Sequence, residues 1–301
     1  MSGPGPMPRR LDDVRDLVAA RLPGRRVGAV RLLGQGLDNV AYEVGGELIV
    51  RFSREADPVR RAALTEREAR VLAAVAALSP LPVPVPAFAV PEQGCLAYPK
   101  LPGVPLADMP RRWRETHGAP IAEALGDLLA VLHADPVEPW AELVGVDDQP
   151  PAGWLREAAE TYRAVAGQVP AVHRRAVEAF LDAAPPRDGH RRVFSHNDLG
   201  IEHVLVDPAG RAVTGVIDWS DAAVCDPAYD LGLVYRDLGP AALRAALGRR
   251  RDGAGEVAAL AVRAVFYARC SVFEDLAYGL HTGRDAYTAN SLTSLAWLFA
   301  A

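Results

Sequence analysis

At 301 residues, half of them hydrophobic and 24% charged, the chain is long enough to bury a substantial core as one large domain or two lobes. The formal net charge of −5, with no Lys/Arg stripe interleaved with aromatics, argues against nucleic acid as the main partner. Three scattered cysteines, Cys95, Cys225 and Cys270, form no CxxC pair, which argues against disulfides or a zinc site and fits a reducing cytoplasm.

In chain order, MSGPGPMPRR (residues 1–10) lacks an apolar core and reads as a flexible tail rather than a signal peptide. Leu11, Val14, Leu17, Val18 and Leu22 share one face of a predicted helix over 11–22. Three strand-type runs follow, VGAVRLLG, DNVAYEV and ELIVRF, and Gly45-Gly46 marks a hairpin between the last two. Residues 58–78 form a second amphipathic helix, closed by the Pro-rich LSPLPVPVPAF. CLAYP is one more strand, and LPGVPL then breaks the pattern. The expected organisation is a sheet-bearing N-lobe over 11–98, a hinge over 99–103 and a helical C-lobe over 104–301, with a ligand cleft between the lobes.

In the C-lobe, helices are predicted near 119–134, 153–166, 171–183, 227–237, 240–249, 256–279 and 285–300, interrupted by a short hairpin of HVLVD and AVTGVID. The apolar run Val257–Leu280 carries Arg263, Arg269, Glu274 and Asp275, so it reads as a buried helix and not a membrane span. Nothing in the sequence sets an oligomeric state.

The chemistry concentrates in HNDLGIEHVLVDPAGRAVTGVIDWSDA, residues 196–222. Asp198 follows the apolar Val193-Phe194 and precedes Gly200, which places its carboxylate on a loop. A carboxylate there can orient a substrate hydroxyl and accept its proton as it attacks phosphorus. His203 enters the next strand and Asp218 ends the one after it, a pair of groups able to hold a divalent cation.

His-x-Asp-x-x-x-x-His, then Ile-Asp-Trp, then DPAYDL (226–231) resembles the aminoglycoside phosphotransferase family of antibiotic kinases, and related features run from about residue 30 to the C-terminus. The resemblance implies an α+β, bilobal protein-kinase-like fold. It also implies Asp198 as catalytic base, His196 as the residue structuring the loop, Asp218 as the Mg²⁺ ligand and Asp230 as a brace. Most of the family has Asn where this chain has His203, and imidazole suits Mg²⁺ less well than oxygen. His203 and GVIDWSDA are similar to the macrolide phosphotransferase subgroup.

The N-lobe offers matching parts. LLGQGLDNVAYEV places Gly34, Gly36 and Asn39 in a loop between strands, where backbone N–H groups can face phosphate. Arg51, flanked by Ile49, Val50 and Phe52, needs a partner in its apolar strand. Periodicity selects it: Glu68 lies four residues from both Leu64 and Leu72, whereas Glu66 is off that stripe. By resemblance, Tyr98, Pro99 and Leu101 hold a nucleotide base through the Pro99 carbonyl and Leu101 N–H, and either ATP or GTP is the donor. Glu202, Asp221, Glu274 and Asp275 are the candidate acceptor-binding groups, an acidic set suited to an amine-bearing antibiotic. The aromatics Tyr267, Phe273, Tyr278 and Trp297 fit a pocket or a core equally. The resemblance implies an Mg²⁺-dependent antibiotic O-phosphotransferase. A metabolite kinase of the same fold, or an inactive nucleotide-binding pseudokinase, are the alternatives the residues leave open.

Overall fold

The computed structural model describes residues 9–36 and 38–300 of the chain. Two compact units meet at the Pro102–Gly103 bond. The expected tail lies outside the described residues as far as position 8. Arg9 itself is anchored, with its guanidinium 4.4 Å over the Phe52 ring and its carbonyl accepting from the Tyr42 hydroxyl.

In the first unit, helix α1 (Leu11–Arg21) precedes strands β1 (Val30–Gln35), β2 (Asn39–Val44) and β3 (Leu48–Ser53). Helix α2 (Pro58–Leu78), β4 (Phe88–Val90) and β5 (Cys95–Pro99) complete it. The sheet is antiparallel throughout, ordered β1-β2-β3-β5-β4. Central β3 is buried along nearly its whole length because it has a strand on both sides. The β2–β3 turn needs left-handed backbone at two successive residues, and Gly45 (φ 64) and Gly46 (φ 75) supply it without a Cβ clash. Two expectations are corrected here. Leu11 is 44% exposed, whereas Val14 and Val18 are buried and Leu17 and Leu22 pack partly buried against the same core. Strand β4, which begins at Phe88 where the Pro-rich stretch ends, is an addition that pairs with β5 at the sheet's edge.

The second unit holds β6 (Val104–Pro105), α3 (Arg111–Ala134), α4 (Val137–Val144), α5 (Pro151–Val165) and α6 (Ala171–Leu181). It continues with β7 (Val193–Ser195), β8 (Val204–Asp207), β9 (Ala212–Val216) and β10 (Ala223–Cys225). Helices α7 (Ala228–Leu247), α8 (Ala254–Thr282) and α9 (Asp285–Leu298) close the chain, with α7 packed against α3, α8 and α9. The predicted helix near 119 begins at Arg111 and runs through Pro120, and α4 is an addition whose Trp140 stacks at 3.7 Å on Phe194. The expected pair 227–237 and 240–249 is seen as two helical stretches of α7 that meet at a kink at Gly239, whose φ of 82 lies outside helical space. The predicted hairpin is β8–β9; β6 joins it along β8, while β7 and β10 pair in a separate two-stranded sheet. Among the described residues no helix is long and apolar enough to cross a membrane.

Candidate active site

Strand β7 aims the loop that follows it. Phe194 is fully buried, and β10 pairs with Val193, Phe194 and Ser195, so the chain leaves a fixed edge at His196. His196 is itself fully buried. Its Nε2–H donates to the Ile217 carbonyl at 3.0 Å, and its Nδ1 accepts from the Asp198 N–H at 3.3 Å. Burial, with the neighbouring His203, pushes its pKa down to about 3. The ring is therefore neutral, with its tautomer set by those two bonds.

Asp230, at the start of α7, braces the same loop. Its carboxylate accepts from the N–H of Asn197 at 3.1 Å and of Leu199 at 3.3 Å. Burial raises its pKa to about 6 while those donors pull it down. Between the two bonds Asn197 adopts φ 62, a left-handed conformation uncommon for a residue with a side chain. The effect is to hold Asp198 out from the loop.

Asp198 keeps 42% of its side-chain surface yet sits among enough protein that desolvation lifts its pKa to about 7. His203 opposes that rise, while Glu202 and Asp221 reinforce it. The His203 Nδ1–H donates to the Asp198 carbonyl at 2.8 Å and lies 3.4 Å from its carboxylate. Its Nε2 is 3.9 Å from the Asp218 carboxylate. Burial disfavours charge on this imidazole, but the carboxylates of Asp198, Glu202 and Asp218 outweigh it and raise its pKa.

Asp218 stands beyond β9 with φ 61, a second left-handed residue, and one of its oxygens accepts from the Ser220 hydroxyl at 2.8 Å. Mg²⁺ takes oxygen ligands and is commonly held by one or two carboxylates, with water and phosphate filling the other positions. Asp218 fits that description: its side chain is 36% exposed on a turn. His203 fits it less well, being a nitrogen donor where Mg²⁺ prefers oxygen. No group of three or more His, Cys, Asp or Glu that could hold a metal unaided occurs among the described residues.

Beside Asp198 opens a cavity of about 430 Å³ within the second unit, with Glu274, Asp275, Arg236, Tyr229 and Tyr278 in its wall. A second cavity of about 260 Å³ shares Thr161, Ser271 and Glu274 with it and adds Trp154, Glu157 and Glu160. Of the four expected acceptor groups, Glu274 and Asp275 line the larger cavity, and Glu202 and Asp221 do not. The Glu202 carboxylate accepts from the Tyr287 hydroxyl at 3.2 Å, and exposed Asp221 sits beside Ser220 in the Asp218 turn. The difference has a simple cause: nearness in sequence to the loop is not nearness to the space beyond it. Of the aromatics, Tyr278 lines the cavity, Tyr267 and Phe273 are core, and the Trp297 indole donates to the Tyr235 carbonyl.

Arg236 and Asp237 were not anticipated. Arg236 is 5% exposed; its guanidinium bonds Asp237 at 2.8 and 3.0 Å and Asp275 at 3.0 Å. Asp237 also accepts from the Ile201 N–H at 3.3 Å and the Asn290 amide at 2.9 Å, which ties the loop to α7 and α9. An Arg-Asp pair inside the apolar run LGLVYRDL is the signal that could have found them, by the reasoning applied to Arg51.

In the first unit, Arg51 and Glu68 meet at 2.9 Å with both side chains largely buried, as the helical stripe requires. Glu66 is exposed. Gly34 lies in β1 and Gly36 just beyond it, neither at positive φ, and an added Cβ on Gly34 would meet nothing within 4 Å. Glycine is thus not demanded by the local backbone, and what it leaves is open space over the strand. Gly36 N–H donates to the Asn39 carbonyl at 2.8 Å, closing the turn. We expect Gly34→Ala to keep the parental melting temperature but to raise the KM for nucleotide. An unchanged KM would sink the phosphate-loop reading of this glycine.

Strand alternation treats the segment after Tyr98 similarly. Lys100 N–H donates to the Glu47 carbonyl of the β3 side at 2.8 Å, so the Pro99 carbonyl and Leu101 N–H turn the opposite way. Strand β4 has already ended there, which leaves that edge open. Lys100 is more than a surface charge: its Nζ lies 3.1 Å from the buried Glu43 carboxylate.

A small antiparallel sheet with one paired helix, followed by a helical unit carrying a His-x-Asp loop and a metal-ready Asp turn, defines a kinase-like phosphotransferase fold. The family model described as the phosphotransferase enzyme family (APH) matches residues 29–266, and the chain belongs to that family. Among solved structures, it resembles the macrolide 2'-phosphotransferase MphH of Brachybacterium faecium, at 27% identity and TM-score 0.61, over 95% of this chain and 97% of that one. It also resembles the GDP complex of aminoglycoside 2'-phosphotransferase-IIIa, at 20% identity and TM-score 0.71, over 97% and 99% of the two chains, a likeness of fold. The uncharacterized protein YcbJ of Bacillus subtilis (strain 168) is 30% identical over 208 residues, spanning 65% of each chain.

Proposed function

We propose that the protein is an antibiotic O-phosphotransferase. It moves the γ-phosphoryl group of ATP or GTP to a hydroxyl of a small amine-bearing antibiotic. The observation that carries this reading is the carboxylate of Asp198, with its raised pKa, at the wall of a cavity that Glu274 and Asp275 also line. Asp275 is already paired with Arg236, so Glu274 is the carboxylate best placed to meet an ammonium group. The adjoining cavity, with Glu157 and Glu160, favours an acceptor longer than one sugar ring. Support for the donor comes from the GDP held by a protein of the same fold and from the Gly34/Gly36 loop with Arg51.

In the reaction, Asp198 orients the acceptor hydroxyl and takes its proton. The hydroxyl oxygen forms its bond to phosphorus in line as the bond from phosphorus to the β-phosphate oxygen breaks, and nucleoside diphosphate leaves. Mg²⁺ bound through Asp218 would neutralise phosphate charge. His203 bonds the backbone of Asp198 and faces Asp218, so it keeps the two carboxylates apart and partly neutralised. Arg51, held by Glu68, contacts the phosphates.

Because Asp198 must be ionised to act, kcat/KM is expected to rise with pH through about 7 and then level off, following its raised pKa. A flat profile between pH 5 and 8 would exclude Asp198 as the titrating base. The function itself is tested by incubating protein with Mg²⁺ and ATP or GTP against aminoglycosides, macrolides, and peptide and nucleoside antibiotics, with mass spectrometry for gain of one phosphoryl group. A phosphorylated antibiotic supports the reading. Product formed only with choline, homoserine, a ketosamine or a sugar makes the protein a metabolite kinase, and nucleotide binding with no product at all makes it a pseudokinase.

A further inference from the structure

Arg54 follows the last residue of β3 and grips the turn after β1 in two ways. Its guanidinium donates to the Gly36 carbonyl at 2.8 Å, and its backbone N–H donates to the Asp38 carbonyl at 2.7 Å. Side chain and main chain therefore hold the carbonyls of one short turn, the turn that carries Gly36 and leads into Asn39. Peptide planarity gives this grip a direction: the bond that turns the Asp38 carbonyl toward Arg54 turns the Asn39 N–H the other way.

The charge on Arg54 is also unusual. Its neighbour Glu55 is engaged elsewhere, 3.0 Å from Arg60 and accepting from the Asp57 N–H. Arg54 makes no ion pair among the described residues, in contrast to Arg51, whose charge is met by Glu68. Its Nε is buried with its donor unused. The side chain as a whole is half-buried, and a buried donor such as this Nε normally finds a partner. Here a positive charge with no counter-charge among the described residues holds the carbonyl of a glycine in a turn.

We propose that Arg54 is a positioning residue of the triphosphate site: it holds the turn by the Gly36 and Asp38 carbonyls and brings to it a positive charge that no carboxylate among the described residues neutralises. The inference rests on the nucleotide reading above and goes beyond it in assigning both the shape and the charge of the turn to a residue outside the Gly-x-Gly pair and outside the Arg51–Glu68 pair. The ligand it serves is the polyphosphate, not the base.

The test separates these parts. Binding of ATP and GTP, and separately of adenosine and guanosine, is measured by calorimetry for the parent, Arg54→Ala, Arg54→Gln and Arg54→Lys, together with melting temperature and KM for nucleotide and for acceptor. Loss of a charge-assisted hydrogen bond with its charge is expected to weaken triphosphate binding roughly tenfold to a hundredfold in Arg54→Ala. Nucleoside affinity, acceptor KM and melting temperature should stay near the parental values. Arg54→Lys should recover part of the loss and Arg54→Gln less, because only lysine restores the charge. If the parent binds triphosphate and Arg54→Ala binds it equally well, the Arg54 inference is wrong while the nucleotide reading stands. Equal losses for nucleoside and triphosphate would also overturn it, since that pattern marks a general disturbance of the unit. A parent that binds no triphosphate overturns the nucleotide reading and this inference with it.

Discussion

Asp198→Asn is expected to fold as the parent does and to lose roughly 10²- to 10⁴-fold in kcat, the range that a positioned general base contributes. The loop does not depend on the Asp198 side chain for its shape. His196 is fixed by the Ile217 carbonyl, Asn197 and Leu199 by Asp230, Ile201 by Asp237, and His203 by the Asp198 backbone carbonyl rather than its carboxylate. Asparagine preserves volume and can still orient a hydroxyl, but it cannot take up the proton. The nucleotide KM should therefore change little while kcat collapses, the pattern of an interaction made in the transition state. Steady-state kinetics on an acceptor identified by the mass-spectrometric panel, with circular dichroism for the fold, checks it. A variant with kcat within about threefold of the parent would falsify the assignment, since no general base is worth so little.

The second large effect is on stability. Arg236→Ala is expected to destabilise the protein by about 3–5 kcal/mol, because it strands the fully buried carboxylate of Asp237 without its cation and unpairs the largely buried Asp275 at the cavity wall. Their side chains are 1% and 19% exposed, and the arginine is their only cation at bonding distance among the described residues. Exchanging Arg236, Asp237 and Asp275 together for apolar residues of similar volume should cost much less, because no charge is then left behind. The loop would lose its Ile201 anchor in the triple variant, so stability and activity should part company: a folded protein with poor turnover. Urea unfolding of both variants decides the matter. A loss under about 1 kcal/mol for Arg236→Ala would mean that the buried triad carries no unusual desolvation cost.

How much of this was legible in the chain depends on how far apart the interacting residues lie. Helix α2 could be read from end to end, and with it Glu68 as the partner of Arg51, because both follow from the 3.6-residue period and the cost of a charge in an apolar environment. The Gly45-Gly46 turn and the β8–β9 hairpin were equally plain, since their chemistry lies within a few residues. Strands β7 and β10 were not: three residues each, about thirty positions apart, they exist only because they pair with one another. The four acidic candidates divide in the structure. Glu274 and Asp275 reach it from α8, whereas Glu202 and Asp221, nearer to Asp198 in the chain, do not.

By itself, then, the sequence determined the local elements, the His-x-Asp loop with its following Asp, and the buried pair on the sheet, because short-range periodicity, turn chemistry and the penalty for an unpaired charge act within a window of some twenty residues. Only the tertiary structure decided which carboxylates line the cavity beside Asp198, which are consumed by Arg236, and that Asp237 joins Asp230 in holding the loop from one helix. Those outcomes depend on how α7, α8 and α9 pack on one another, and that packing brings together groups up to ninety residues apart that no local rule connects.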